Sequence, residues 1–127
     1  MITGVHHVQL TVPPGREEEA RRFYCDFLGL PEVTKPASLV GRGGLWVQAG
    51  DRQVHIGTED DVNRLATKAH IAYAVRGLEA WRSKLTDAGI EALEGVPIPG
   101  YRRFEFRDPF GNRVEFIEPE GSRAPVE

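Results

Sequence analysis

Polar and apolar residues alternate from Gly4 to Val12 (GVHHVQLTV). His7, Gln9 and Thr11 fall on one side, and Val8, Leu10 and Val12 on the other. Side chains alternate across an extended chain, so the pattern predicts a strand with one polar and one apolar face. Pro13-Pro14-Gly15 ends it. The period then lengthens: Ala20, Phe23, Tyr24, Phe27 and Leu28 recur at helical spacing, behind Glu17, Glu18 and Glu19, which suit the positive end of a helix. Gly29 is placed to terminate that helix. Pro31 and Pro36 predict an irregular edge strand and loop over 30–39. Leu45–Gln48 and Gln53–Ile56 form a predicted hairpin joined by Ala49-Gly50-Asp51-Arg52. The polar stretch Thr58–Thr67 reads as a seam between two halves.

The same succession then begins again. Ala69–Val75 (AHIAYAV) alternates, with His70, Ala72 and Ala74 on one face. Gly77–Ala88 is an amphipathic helix with Leu78, Trp81, Leu85 and Ala88 inward, stopped by Gly89. Ile90–Leu93 is a short strand and Glu94–Arg103 a loop rich in Gly and Pro. Phe104–Glu118 (FEFRDPFGNRVEFIE) is a hairpin turning through Asp108-Pro109-Phe110-Gly111-Asn112, residues that preset turn dihedrals or accept a backbone N–H. His7–Val12 matches His70–Val75 at an offset of 63, and both Gly29 on Gly89 and His55 on Glu115 match at an offset of 60. The chain therefore reads as two copies of a strand–helix–strand–strand–strand unit. The fold class is α+β, one domain with modules over about 3–58 and 68–119 and a tail at 120–127. The two copies are expected to share an open curved mixed sheet with the helices outside.

The repeat concentrates the chemistry. His7 and His70 occupy one repeat position, and His55 and Glu115 another. Three imidazoles and a carboxylate make a donor set for a divalent cation, Zn, Ni, Fe or Co. The subset His7, His70 and Glu115 would leave coordination positions open. His6 alternates away from His7 and reads as a structural or surface residue. Cys25 has no neighbour in the sequence that would activate a thiolate.

Composition narrows the setting. The 127 residues suit one domain, the net charge is −3, and there is no basic run, which argues against nucleic acid as a partner. The single cysteine excludes an intrachain disulfide. No apolar run approaches a membrane span and no leader pattern opens the chain, so a cytoplasmic protein without a membrane role is expected. The Pro/Gly-rich tail from Pro119 to Glu127 is expected to fray or to pack on a partner chain.

GVHHVQLTV, FYCDFLGL, AHIAYAV and above all RDPFGNRVEF resemble the vicinal oxygen chelate superfamily, over nearly the whole chain. Its members include glyoxalase I, fosfomycin-resistance proteins, methylmalonyl-CoA epimerase, extradiol dioxygenases and bleomycin-resistance proteins. The resemblance implies paired βαβββ modules around a central cavity. It also implies a divalent metal (Zn, Ni, Co, Mn or Fe) held by His7, His70 and Glu115, with His55 where several members carry Glu or Gln. The implied chemistry is metal polarisation of the vicinal oxygens of a small-molecule substrate, stabilising an enediolate or oxyanion, with Glu115 the candidate base. No second carboxylate is legible near it. Gln9 and Thr11, on the His7 face, and Trp46 are candidate substrate contacts. In the 94–103 loop Tyr101, Arg102 and Arg103 are placed to meet an anionic group. Alternatives are a bleomycin-resistance-like binding protein without catalysis, a small Fe(II) extradiol-type dioxygenase, or a fosfomycin-type thiol transferase. A homodimer is expected in each case.

Overall fold

Two four-stranded mixed sheets organise the chain, seen in a computed structural model that describes residues 1–121. The chain divides into two units between Asn63 and Arg64, inside the polar connection. The expected frayed or partner-bound tail falls largely on residues 122–127, outside the described residues.

In the first unit the sheet order is β1 (His7–Val12), β4 (Arg52–Thr58), β3 (Leu45–Ala49), β2 (Glu32–Val33). β1 runs parallel to β4, with Gln9 opposite His55, and β3 pairs antiparallel with β4, with Trp46 opposite His55. The apolar set Val12, Leu45, Val47, Val54 and Ile56 is buried, together with Ala20, Phe23, Tyr24 and Leu28 of the helical segment. Burying a side chain of this size contributes about 1.5–3 kcal/mol, so this face, not the polar one, fixes the register.

The helical segment departs from a uniform α-helix. α1 covers Glu17–Arg21 and continues as a π-helical turn over Arg22–Phe27. The Leu28 amide donates to the Phe23 carbonyl at 2.9 Å and the Leu30 amide to the Tyr24 carbonyl at 3.0 Å. The wider turn leaves Phe27 half-buried, stacked on Phe23 at 5.6 Å.

The second unit repeats the order: β5 (His70–Ala74), β8 (Arg113–Pro119), β7 (Tyr101–Arg107), β6 (Leu93–Glu94). β5 is parallel to β8 with Ala72 opposite Glu115, the repeat equivalent of Gln9 opposite His55. α2 (Leu78–Asp87) packs on β8, buries Leu78 and Leu85, and brings Trp81 against Phe116 at 5.1 Å. Ala88, expected inward, is exposed because the helix has already ended. At its N-terminus the Gly77 and Leu78 amides donate to the carboxylate of Glu118, which is 2% exposed. A strand side chain thus satisfies two orphan helix amides.

The hairpin loop follows the expected chemistry. Asp108 accepts the amides of Phe110 and Asn112 and the Asn112 side-chain N–H, while Gly111 takes φ 94°. β7 begins earlier than the sequence suggests, at Tyr101 rather than Phe104. Tyr101, Arg102 and Arg103 pair with Pro119, Glu118 and Ile117, so the expected loop is strand there. Among the described residues no helix is long and apolar enough to cross a membrane.

Candidate metal centre

Each sheet has a polar face, and the repeat-equivalent positions lie on it. In the first unit His55 is 7% exposed and lies between two rings. His7 stacks on it at 4.1 Å and Trp46 at 3.9 Å, the Trp46 ring parallel to it within 1°. The face that Trp46 shares is therefore that of His55. His55 Nε2 lies 2.9 Å from Gln53 Oε1. With the amide oxygen there, the ring donates through Nε2 and carries its lone pair on Nδ1. Burial holds the His55 pKa below 6.5, with His7, His6 and Lys35 adding repulsion, so the ring is neutral at pH 7 and able to ligate.

His6 does not turn away as strict alternation suggests. Its Nδ1 lies 3.0 Å from the Nδ1 of His7. It precedes β1, so the strand's alternation does not govern it. Gln9, Trp46, His6, His7 and His55 line one cavity of about 630 Å3. Thr11 instead donates to Glu59 at 3.1 Å and is not part of that lining.

The second unit carries charge where the first carries rings. His70 Nε2 is 2.9 Å from Glu115 Oε1, and its Nδ1 is 2.9 Å from the Lys68 carbonyl. A carbonyl only accepts, so Nδ1 bears a proton. With Nδ1 as the donor, the neutral ring presents the lone pair of Nε2 toward Glu115 Oε1, two donor atoms that a divalent cation could take together. The ring orientation fits a metal ligand with its tautomer fixed from behind.

Glu115, 4% exposed, also accepts from Arg103 Nη1 at 3.1 Å. Arg103 reaches the Val96 carbonyl and Glu105 as well, so its guanidinium is engaged within the unit. Tyr101 is exposed at the start of β7.

Sequence reasoning missed Glu105. It lies directly opposite Glu115, and one donor atom from each of His70, Glu105 and Glu115 falls within a span of 4.8 Å. The signal was present: a hairpin centred on Phe110 sets 105 against 115. Glu105 is bidentate with Arg113, both contacts 2.6 Å. The Arg113 hydrogen bond holds its carboxyl below the usual range, against the opposing effect of burial. It is thus an anionic donor but a weak base.

The sequence model of the Glyoxalase/Bleomycin resistance protein/Dioxygenase superfamily matches residues 4–116. A putative glyoxalase family protein from Bacillus anthracis is 42% identical, with TM-score 0.87 over 94% of this chain and 98% of that one. The lactoylglutathione lyase of Agrobacterium tumefaciens (19% identity, TM-score 0.70, 92% and 94% covered) shares the fold. So does the fosfomycin resistance protein FosX of Listeria monocytogenes (19%, 0.71, 91% of each chain). No curated protein matches the chain.

Proposed function

Because the chain belongs to the glyoxalase/bleomycin resistance protein/dioxygenase superfamily, we propose that it is a glyoxalase-like, metal-dependent enzyme acting on a small molecule with adjacent oxygens. His70 and Glu115 are the core ligands in the second unit, and the imidazoles of His7 and His55 are the donors that the first unit offers. The observation that carries this reading is the pair His70 Nε2 and Glu115 Oε1 at 2.9 Å, with Nδ1 committed to the Lys68 carbonyl. When bound, a divalent metal supplies electrophilic stabilisation of a developing enediolate or oxyanion. Zn, Ni, Co, Mn and Fe all accept imidazole and carboxylate donors.

The chain's own groups do the rest. Neutral His55 offers a lone pair without bringing positive charge. Glu115 is the residue assigned to proton transfer, because Glu105 is too weak a base while Arg113 holds it. Gln9 and Trp46 line the cavity beside the imidazoles and shape the substrate site. Thr11 would act at its margin, and Tyr101 and Arg103 would be substrate contacts of the second unit. We place the protein in the cytoplasm as a homodimer: β1, β2, β5 and β6 end their sheets as edge strands, and Val5, Val40, Val96 and Tyr101 are exposed.

Calorimetric titration with each metal tests the ligand set. Glu115→Gln should weaken binding by about 10-fold or more, the scale seen even for residues that only support a ligand. An unchanged affinity would remove Glu115 from the site. One observation favours a second reading, a binding protein without catalysis. Arg103 and Arg113 already balance Glu105 and Glu115 without a metal ion. On that reading, no metal would bind at all.

A further inference from the structure

We propose that the cavity of the first unit receives an anionic group of the substrate, a carboxylate or a phosphoryl-type oxyanion, on Lys35 and Arg42. The identity of the occupant as substrate rests on the function proposed above; the anion site itself does not. The cavity of about 630 Å3 is lined by Lys35, Arg42 and the imidazoles of His6, His7 and His55, and no aspartate or glutamate lines it. In a chain of net charge −3 this concave surface runs against the overall balance. A cleft lined by one sign of charge concentrates ligands of the other.

Several arginines among the described residues are already occupied. Arg21, Arg82, Arg102, Arg103 and Arg113 each hold a carboxylate. Arg42 has no hydrogen bond or ion pair among the described residues and is exposed at the end of the 3-10 helix Ala37–Arg42. Lys35 Nζ donates once, to the Gly43 carbonyl at 2.6 Å. An ammonium has three donors, so two remain for a ligand.

The segment that carries these groups is fixed in place. Gly43 and Gly44 take φ 75° and 79°, and a Cβ on Gly44 would lie 2.2 Å from the Ile56 carbonyl oxygen. Only glycine permits that approach, which holds the end of the 3-10 helix against β4, the strand of His55. The cavity has the size of a small-molecule site. Two cations in one hollow, with no basic stripe beyond it, suit a small anion and not a nucleic-acid backbone.

The test is calorimetric titration of the full chain with inorganic phosphate and, separately, acetate, first with chelator and then with added metal. The expected result is binding in chelator, weakened about 10-fold by Arg42→Gln, as for loss of one near-surface charge contact. Lys35→Met should do the same and the double variant should lose binding. Arg76→Gln, an exposed cation of the second unit, should change nothing. Arg42→Gln removes no hydrogen bond, so it stays informative if Lys35→Met misfolds. Preference for phosphate or for acetate identifies which oxyanion the site takes. No binding by the wild type, unchanged affinity in the Arg42→Gln variant, or binding only with metal present would each overturn the proposal. Arg42-dependent anion binding in a protein that takes up no metal would uphold the anion site while sinking the metal reading.

Discussion

The two repeats place different chemistry at the same register position. In the first, position 55 is an imidazole between the rings of His7 and Trp46. In the second, position 115 is a carboxylate between the guanidinium of Arg103 and the imidazole of His70. The scaffold beneath is conserved in geometry: a parallel pair, an antiparallel pair, and a buried apolar face below each. The backbone ladder and apolar face set where the side chain stands. The neighbouring strand sets its electrostatics, through Trp46 in one half and Glu105 in the other, residues that face positions 55 and 115 respectively.

That separation can be broken from beneath. Phe104 is fully buried and meets Phe106 and Phe116. Phe104→Ala should cost about 3–5 kcal/mol in chemical denaturation, the usual range for deleting a core aromatic. A loss below about 1 kcal/mol would show that the apolar face does not hold the second sheet.

Exchanging the chemistry sharpens the comparison. His55→Glu would give the first repeat the carboxylate of the second without its arginine. A carboxylate between Trp46 and His7 lacks the direct arginine contact that Glu115 has, with Lys35 acting on it only through space, so the variant should lose about 1–3 kcal/mol. It should regain stability when saturating divalent metal is added. A variant as stable as the wild type without metal would mean that the aromatic stack is no less hospitable to charge than the second repeat.

The smallest effect is in protonation. The His55 pKa is depressed below 6.5, so the unfolded chain binds the proton more readily than the folded one. Stability from this group is intact above pH 6.5 and declines as the pH falls through 6.5 toward the folded pKa. Imidazole NMR should place the His55 midpoint below 6.5, and Trp46→Ala should raise it by opening the ring to water. A wild-type midpoint at or above 6.5 would remove the account of a neutral donor.

Much of the scaffold was legible in the sequence. The repeat offsets, both hairpins and the polar seam follow from periodicity and turn residues. What escaped depends on neighbours. The π-helical turn at Arg22–Phe27 shifts Phe27 off the buried stripe without any proline or glycine to announce it. Tyr101–Arg103 joined β7 because Arg102 meets Glu118, and Arg103 meets Glu115, across the strand pair. His6 joined the cavity because it stands before the strand. Glu105 required the hairpin centre to be taken as a register and not only as a turn.

The central claim is that the His70–Glu115 pair of the second repeat holds a metal. Elemental mass spectrometry on untagged protein tests it, after incubation with Zn, Ni, Co, Mn and anaerobic Fe(II), beside the His70→Ala variant. About one metal per chain is predicted, with retention reduced in the variant. No metal in the wild type under any condition, or full retention in His70→Ala, would contradict it.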